Sequence, residues 1–162
     1  MKCLESFESL IFEIPGEPMP MPRARHSNAG GFVRTYTPEK AVAHKGLIQH
    51  YWREAAKGFA VPLDAIVSIG ITVVKQLPKS APRWLKVIVA ECELMSEWGS
   101  LPPAVPSRGD TDNYFKIVAD ALQGLAYRND SQVYDGRCTK VWGGTARTVV
   151  EVTYWRYEEV RA

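Results

Sequence analysis

Eleven prolines divide this 162-residue chain, and they confine regular structure to the gaps between them. Proline cannot donate to a backbone ladder and breaks a helix interior, so each one ends, opens or excludes an element. Pro15-Gly16 stops the run Leu10-Ile11-Phe12-Glu13-Ile14, which reads as a short strand. Prolines 18, 20 and 22 hold the next stretch extended, and Arg23-Ala24-Arg25-His26 leads into a turn at Gly30-Gly31. Thr37-Pro38-Glu39 predicts a helix start, a capping hydroxyl with proline at the first helical position. That helix runs to about Lys57, with Gly58 just beyond and Ile48, Tyr51, Trp52 and Ala55 as its apolar stripe. Ile66 to Val74 follows as a strand.

Residues 78–107 are the irregular part. Ser80-Ala81-Pro82 could open a helix with Leu85, Ile88, Val89 and Cys92 on one face, but Val87-Ile88-Val89 equally fits a strand. Pro102, Pro103 and Pro106 make the approach to Arg108 an extended loop. A helix is then predicted from Asn113 to Gln123, closed by Gly124. Its pattern puts Phe115, Val118, Ala119 and Leu122 on one side, and Asp112, Lys116 and Asp120 on the other. Gln132–Trp142, a Gly143-Gly144 turn and Thr148–Tyr157 read as a hairpin. The order strand, helix, strand, irregular segment, helix, strand, strand predicts a mixed sheet with helices packed on it. This is an α/β or α+β fold forming a single domain over residues 1–162.

Composition removes several classes of function. No apolar run approaches the length of a transmembrane helix, and acids stand near the N-terminus where a secretory signal would be apolar. Cys3, Cys92 and Cys138 form no CxxC pair, and His44 and His50 do not share a helix face, so structural zinc is not expected. A reduced, cytoplasmic protein with no membrane partner is the simplest account. The net charge of +2 hides an asymmetry. Residues 23–90 hold 11 Lys or Arg against 3 acids, whereas residues 91–162 hold 8 against 11.

Asp110-Thr111-Asp112 stands where the proline-rich loop meets a helix. Two carboxylates this close repel unless a cation lies between them, and oxygen ligands suit magnesium or manganese. Equally, Asp112 could be only an N-cap and Asp110 a solvated loop acid. Lys116, one turn after Asp112, can reach the same space, or form an ordinary surface pair with it. Asp120 reads as a partner for Lys116. Asn129-Asp130 falls in the turn before the hairpin, where it could be turn chemistry or a third carboxylate for the site. Three carboxylates and a lysine are the parts of a metal-dependent phosphodiesterase.

The ordered set Asp110-Thr111-Asp112-Asn113, Lys116, Asp120-Ala121-Leu122, Gly124 and Asn129-Asp130-Ser131-Gln132-Val133 resembles the RusA family of Holliday-junction resolvases. Ile14-Pro15-Gly16-Glu17-Pro18, Pro22-Arg23-Ala24-Arg25 and Thr35-Tyr36-Thr37-Pro38 are similar to the entry strand and basic loop of its phage-type members. The resemblance implies that Asp110, Asp112 and Asp130 bind the metal, that Lys116 supports catalysis, and that the protein is a magnesium-dependent homodimer. Its substrate would be a four-way junction in DNA recombination and repair, cut in symmetrically related strands. Against the family pattern, Arg108-Gly109 replaces Lys-Pro, keeping the charge while Gly109 is expected to loosen the loop. Asn129 replaces an aspartate.

Arg23, Arg25, Arg34, Lys40 and Lys45, from the basic half, are the natural phosphate contacts. Arg108 joins them, as does Lys140, which resembles a basic position of the family. Tyr36 and Phe32 are candidates for wedging into a junction. Trp52, Trp84, Trp98, Trp142 and Trp155 read as core or interface. The competing readings are a flap or fork nuclease of the same chemistry, a sugar-nucleotide transferase using the DxD, and a non-enzymatic nucleic-acid-binding module.

Overall fold

The computed structural model describes residues 2–22, 25–27, 34–36, 38–95, 106 and 108–159, with backbone alone at 2, 25–27, 34–36, 93–95 and 159. The elements are β1 (Lys2–Pro15), β2 (Arg25–Ser27), β3 (Arg34–Tyr36), α1 (Glu39–Ala55), β4 (Ile66–Gln76), α2 (Arg83–Met95), α3 (Thr111–Leu122), β5 (Val133–Gly143) and β6 (Arg147–Glu159). A 3-10 turn, Asp130–Gln132, precedes β5. Four strands form one mixed sheet in the order β1-β6-β4-β5, and β2 pairs with β3 in a separate ribbon. With three helices among the described residues, this is the expected α+β fold.

The expected hairpin does not exist. β5 and β6 are separated by β4, which pairs parallel with β5 and antiparallel with β6. The reason lies in β4 itself, whose Val67, Ile69, Ile71 and Val73 are all buried. A strand this apolar is costly at an edge, where its backbone groups would lack partners. Residues 144–146 therefore cross the end of β4, where Leu77 N–H donates to the Gly143 carbonyl at 2.9 Å. The gap is two strand spacings, about 9.6 Å, within reach of three connecting residues. Gly143-Gly144 thus opens a wide crossover.

Three other expectations shift. β1 starts at Lys2 because its ladder with β6 continues to Lys2↔Glu159. Residues 83–95 are helical: Leu85 and Val89 are buried while Trp84 and Val87 are exposed, a period of about four that no strand has. Trp84 accordingly leaves the set of core tryptophans. Pro38 is the cap of α1 and Glu39 its first helical residue, with no side-chain cap bond. Thr37, Trp98, Pro102, Pro103 and the Gly30-Gly31 turn lie outside the described residues.

The helices take both faces of the sheet. On one face α1 and α3 cover Phe12, Ile14, Val67, Ile69, Ile71, Val73, Val150, Val152 and Tyr154, and the Trp52 ring meets Phe12 edge-on at 5.7 Å. α2 contacts β5, and its buried Leu85 and Val89 share the opposite face with Val74 and Val141, which the β4 alternation turns away from the main core. No helix among the described residues is long and apolar enough to cross a membrane.

Candidate active site

The approach to α3 is fixed by one glycine and two side chains. Gly109 has φ +85°, and a Cβ there would stand 2.5 Å from the Tyr114 hydroxyl oxygen and 2.6 Å from its Cε2. The glycine therefore tightens the loop by letting the Tyr114 ring close over it, contrary to the loosening expected. Across the site, Lys140 Nζ on β5 donates to the Gly109 carbonyl at 2.7 Å. Asp110 is the N-cap of α3, in place of Asp112, and its side chain makes no capping bond. Its carbonyl accepts from the Asn113 and Tyr114 amides, and Asn113 Nδ2 donates to its Oδ2 at 3.4 Å.

α3 lies along β5, on which Gly136, Cys138 and Lys140 share the helix-facing side by their pairing with Ile69, Ile71 and Val73. The buried stripe of α3 is Tyr114, Ile117, Val118, Ala121 and Leu122. Phe115 and Ala119, expected within that stripe, are half-buried and turn towards β5. Asp112 lines a recess with Thr111, Phe115, Gly136 and Cys138. Asp130 and Lys116 line a second recess with Phe115, Ala119, Asp120, Tyr127, Val133 and Gly136. The two recesses share Phe115 and Gly136.

Asp130 is presented by a turn that closes on itself. The Asn129 side chain accepts from the Ser131 amide, while Gln132 Oε1 accepts from the amides of Arg128 and Asn129 at 2.9 and 2.8 Å. Gln132 Nε2 donates to the carbonyls of Leu63 and Ala65, both at 2.8 Å, pinning the turn to the segment before β4. Asn129 and Gln132 thus satisfy the backbone, and the Asp130 carboxylate is left outward. The Asn-x-x-Gln spacing was the signal that could have identified Gln132 from sequence. Tyr114, Phe115 and Gly136 had no such signal.

The six aspartates divide cleanly. Asp64, Asp120 and Asp135 are ion-paired with Arg128, Lys45 and Arg137 at 2.9–3.0 Å. Asp110, Asp112 and Asp130 are exposed and form no ion pair among the described residues. Asp120 therefore partners Lys45 and not Lys116, and it ties α3 to α1. Lys116 is exposed, and Lys40 and Arg108 are exposed as well. Lys45 and Lys140, expected to contact phosphate, already hold Asp120 and Gly109. Arg23 and Phe32 lie outside the described residues, as do the side chains of Arg25, Arg34 and Tyr36. The Met21 amide donates to the Asn113 carbonyl at 2.8 Å, which brings the chain entering the basic segment against the start of α3.

Two acidic protons beside the site are held in place. Burial pushes the Cys138 thiol up to about 11, opposed by Lys140 and reinforced by Asp112. Burial also raises the Tyr127 phenol, reinforced by Asp130 and Asp120, and its hydroxyl donates to the Ala119 carbonyl at 2.7 Å. Both groups stay protonated near neutral pH. The three free carboxylates are hard oxygen donors of the kind that hold magnesium or manganese. Among the described residues no three such side chains stand close enough to grip one ion together.

Two comparisons with known proteins bear on this arrangement. The family described as Endodeoxyribonuclease RusA matches residues 15–153. The chain is also 31% identical over 150 residues to the uncharacterized protein YqaN of Bacillus subtilis (strain 168), with 90% of this chain and 96% of that protein covered.

Proposed function

The chain belongs to the RusA endodeoxyribonuclease family, a family of Holliday-junction resolvases, and from that premise we propose that it is a divalent-metal-dependent nuclease of branched DNA. The observation that supports this most is the division of the aspartates: the three without a cationic partner among the described residues are the three of the candidate site. Asp110, Asp112 and Asp130, which do not stand close enough here to share one ion, are the carboxylates that would have to draw together to hold magnesium, with manganese as a substitute. An ion held there would supply a water activated for in-line attack and charge to stabilise the departing oxygen. Lys116 lines the recess of Asp130 and offers its ammonium to the phosphoryl group as charge develops. Arg108, Lys40 and the basic segment from Arg23 through Arg25 to Arg34 position the backbone by phosphate contact. Cleavage of two symmetrically related strands in recombination and repair is natural for a homodimer acting in the cytoplasm.

The test compares a synthetic four-way junction with linear duplex, flap and fork, in magnesium or EDTA, using the unaltered protein and Asp110→Asn. Paired symmetric nicks in the junction alone, abolished by EDTA and by the substitution, are expected. Preferential cutting of flap or fork would keep the chemistry and replace the substrate. A folded protein that cuts nothing in magnesium or manganese would overturn the enzyme.

A further inference from the structure

Lys75 of β4 is a largely covered cation with a distant partner. Its Nζ stands 3.8 Å from Glu17 Oε1, with the lysine side chain 16% exposed and the glutamate 66% exposed. A charge-assisted N–H···O bond runs about 2.7–2.9 Å, a distance that Lys140 reaches on the Gly109 carbonyl and Lys45 on Asp120. Lys75 also faces the Tyr114 ring, 5.9 Å from its centroid, and this is the ring that closes over Gly109 beside Asp110. Lys140 pairs with Val73, so Lys75, two residues further along β4, leaves the sheet on the same side as Lys140. The segment carrying Glu17 is fixed at both ends, by the Gly16 amide on the Ala146 carbonyl at 3.1 Å and the Met21 amide on the Asn113 carbonyl at 2.8 Å. Pro18 and Pro20 hold it extended between them. It therefore leads past Lys75 to the first turn of α3, and the basic residues from Arg23 onward follow it in the chain.

We infer that Lys75 is a further DNA contact of this site: Glu17 holds its ammonium in the free protein, and a backbone phosphate of the DNA takes the carboxylate's place when substrate binds. This rests on the nuclease reading above but on no bound metal ion. The exchange replaces one anion by another at an ammonium that is costly to leave uncovered. A phosphate oxygen can come to hydrogen-bonding distance, whereas Glu17 stands well beyond it. The glutamate is exposed enough to turn into water without moving the backbone that carries it. A strand lying along both the basic segment and the first turn of α3 then meets Lys75 on its way.

The experiment measures binding of a synthetic four-way junction in EDTA or calcium across a salt series, beside a thermal melt of each variant. Lys75→Gln is expected to lower the slope of log affinity against log salt by about 1, and Lys75→Arg to keep it. Glu17→Gln is expected to tighten binding about 2- to 5-fold, the range of an exposed ion pair. That gain is expected to vanish when Lys75→Gln is also present. An unchanged slope in folded Lys75→Gln would overturn the contact. A gain from Glu17→Gln that persists beside Lys75→Gln would overturn the exchange, because the glutamate would then act on the DNA by its charge alone. Should Lys75→Gln fail to fold, Glu17→Gln decides: tighter binding upholds the proposal and unchanged affinity overturns it. If the unaltered protein binds the junction no better than linear duplex, the branched-DNA reading itself fails, a result recognisable without any change at 17 or 75.

Discussion

The loop before α3 and the turn before β5 each carry a carboxylate of the proposed site, but they are held by opposite means. The turn at 129–132 is clamped largely from within: Asn129 and Gln132 close it, and two bonds from Gln132 fasten it to the carbonyls of Leu63 and Ala65. The loop at 108–110 is clamped from outside, by the Tyr114 ring over Gly109 and by Lys140 reaching across from β5. The difference teaches how each can fail. Damage to the turn should stay local to Asp130, whereas damage to the loop should be felt wherever α3 meets β5.

Gly109→Ala is the strongest way to break the contrast. The left-handed conformation alone costs an L-residue about 1–2 kcal/mol, and the methyl would also collide with Tyr114. We expect a fall in melting temperature of several degrees and a large loss of cleavage. Gly109→Asn tolerates the same φ better but meets the same ring. Equal damage from both would assign the effect to Tyr114, and a milder Asn variant would assign it to the backbone.

Gln132→Ala probes the turn. It removes four hydrogen bonds at once, and the freed carbonyls and amides are expected to cost about 1–3 kcal/mol, since exposure lets water replace some partners. Gln132→Glu sharpens the result, because it keeps both bonds accepted from the amides of Arg128 and Asn129 and loses both donated to Leu63 and Ala65. If melting and cleavage are unchanged in Gln132→Glu, the fastening to the segment before β4 is dispensable and the turn is self-sufficient.

The same contrast explains what the sequence made legible. Local chemistry was readable: the strand Ile66–Val74, the helix ending near Gly124 and the carboxylate spacing of Asp110 and Asp112 all follow from neighbours in the chain. The Asn129-x-x-Gln132 clamp is of the same local kind. Long-range partners were not readable. Gly143-Gly144 carries the local signature of a hairpin, and only the need to pair both edges of β4 turns it into a crossover. Gly109 resembled a loosened loop because its partner Tyr114 acts through space. Helical spacing assigns Asp120 to Lys116, while the lysine that reaches it, Lys45, comes from α1. The period of α3 is readable, but its phase depends on which residues meet β5, so the pattern puts Phe115 in the core and leaves Tyr114 out.

Lys140 is where the two kinds of holding can be separated most finely. As a basic residue near the site it suits a phosphate contact, yet its ammonium already donates to the Gly109 carbonyl at 2.7 Å. A phosphate contact contributes about 0.9 to the slope of log affinity against log salt on duplex DNA. Lys140→Gln is therefore expected to slow cleavage while leaving the salt slope of junction binding unchanged, because what it loses is the anchor of the loop. Lys40→Gln, at an exposed position on α1, is expected to do the reverse: a slope lower by about 1 with an unchanged melting temperature. A reduced slope in Lys140→Gln would return that residue to the DNA-contact set. The outside clamp on Asp110 would then rest on Tyr114 and Gly109 alone.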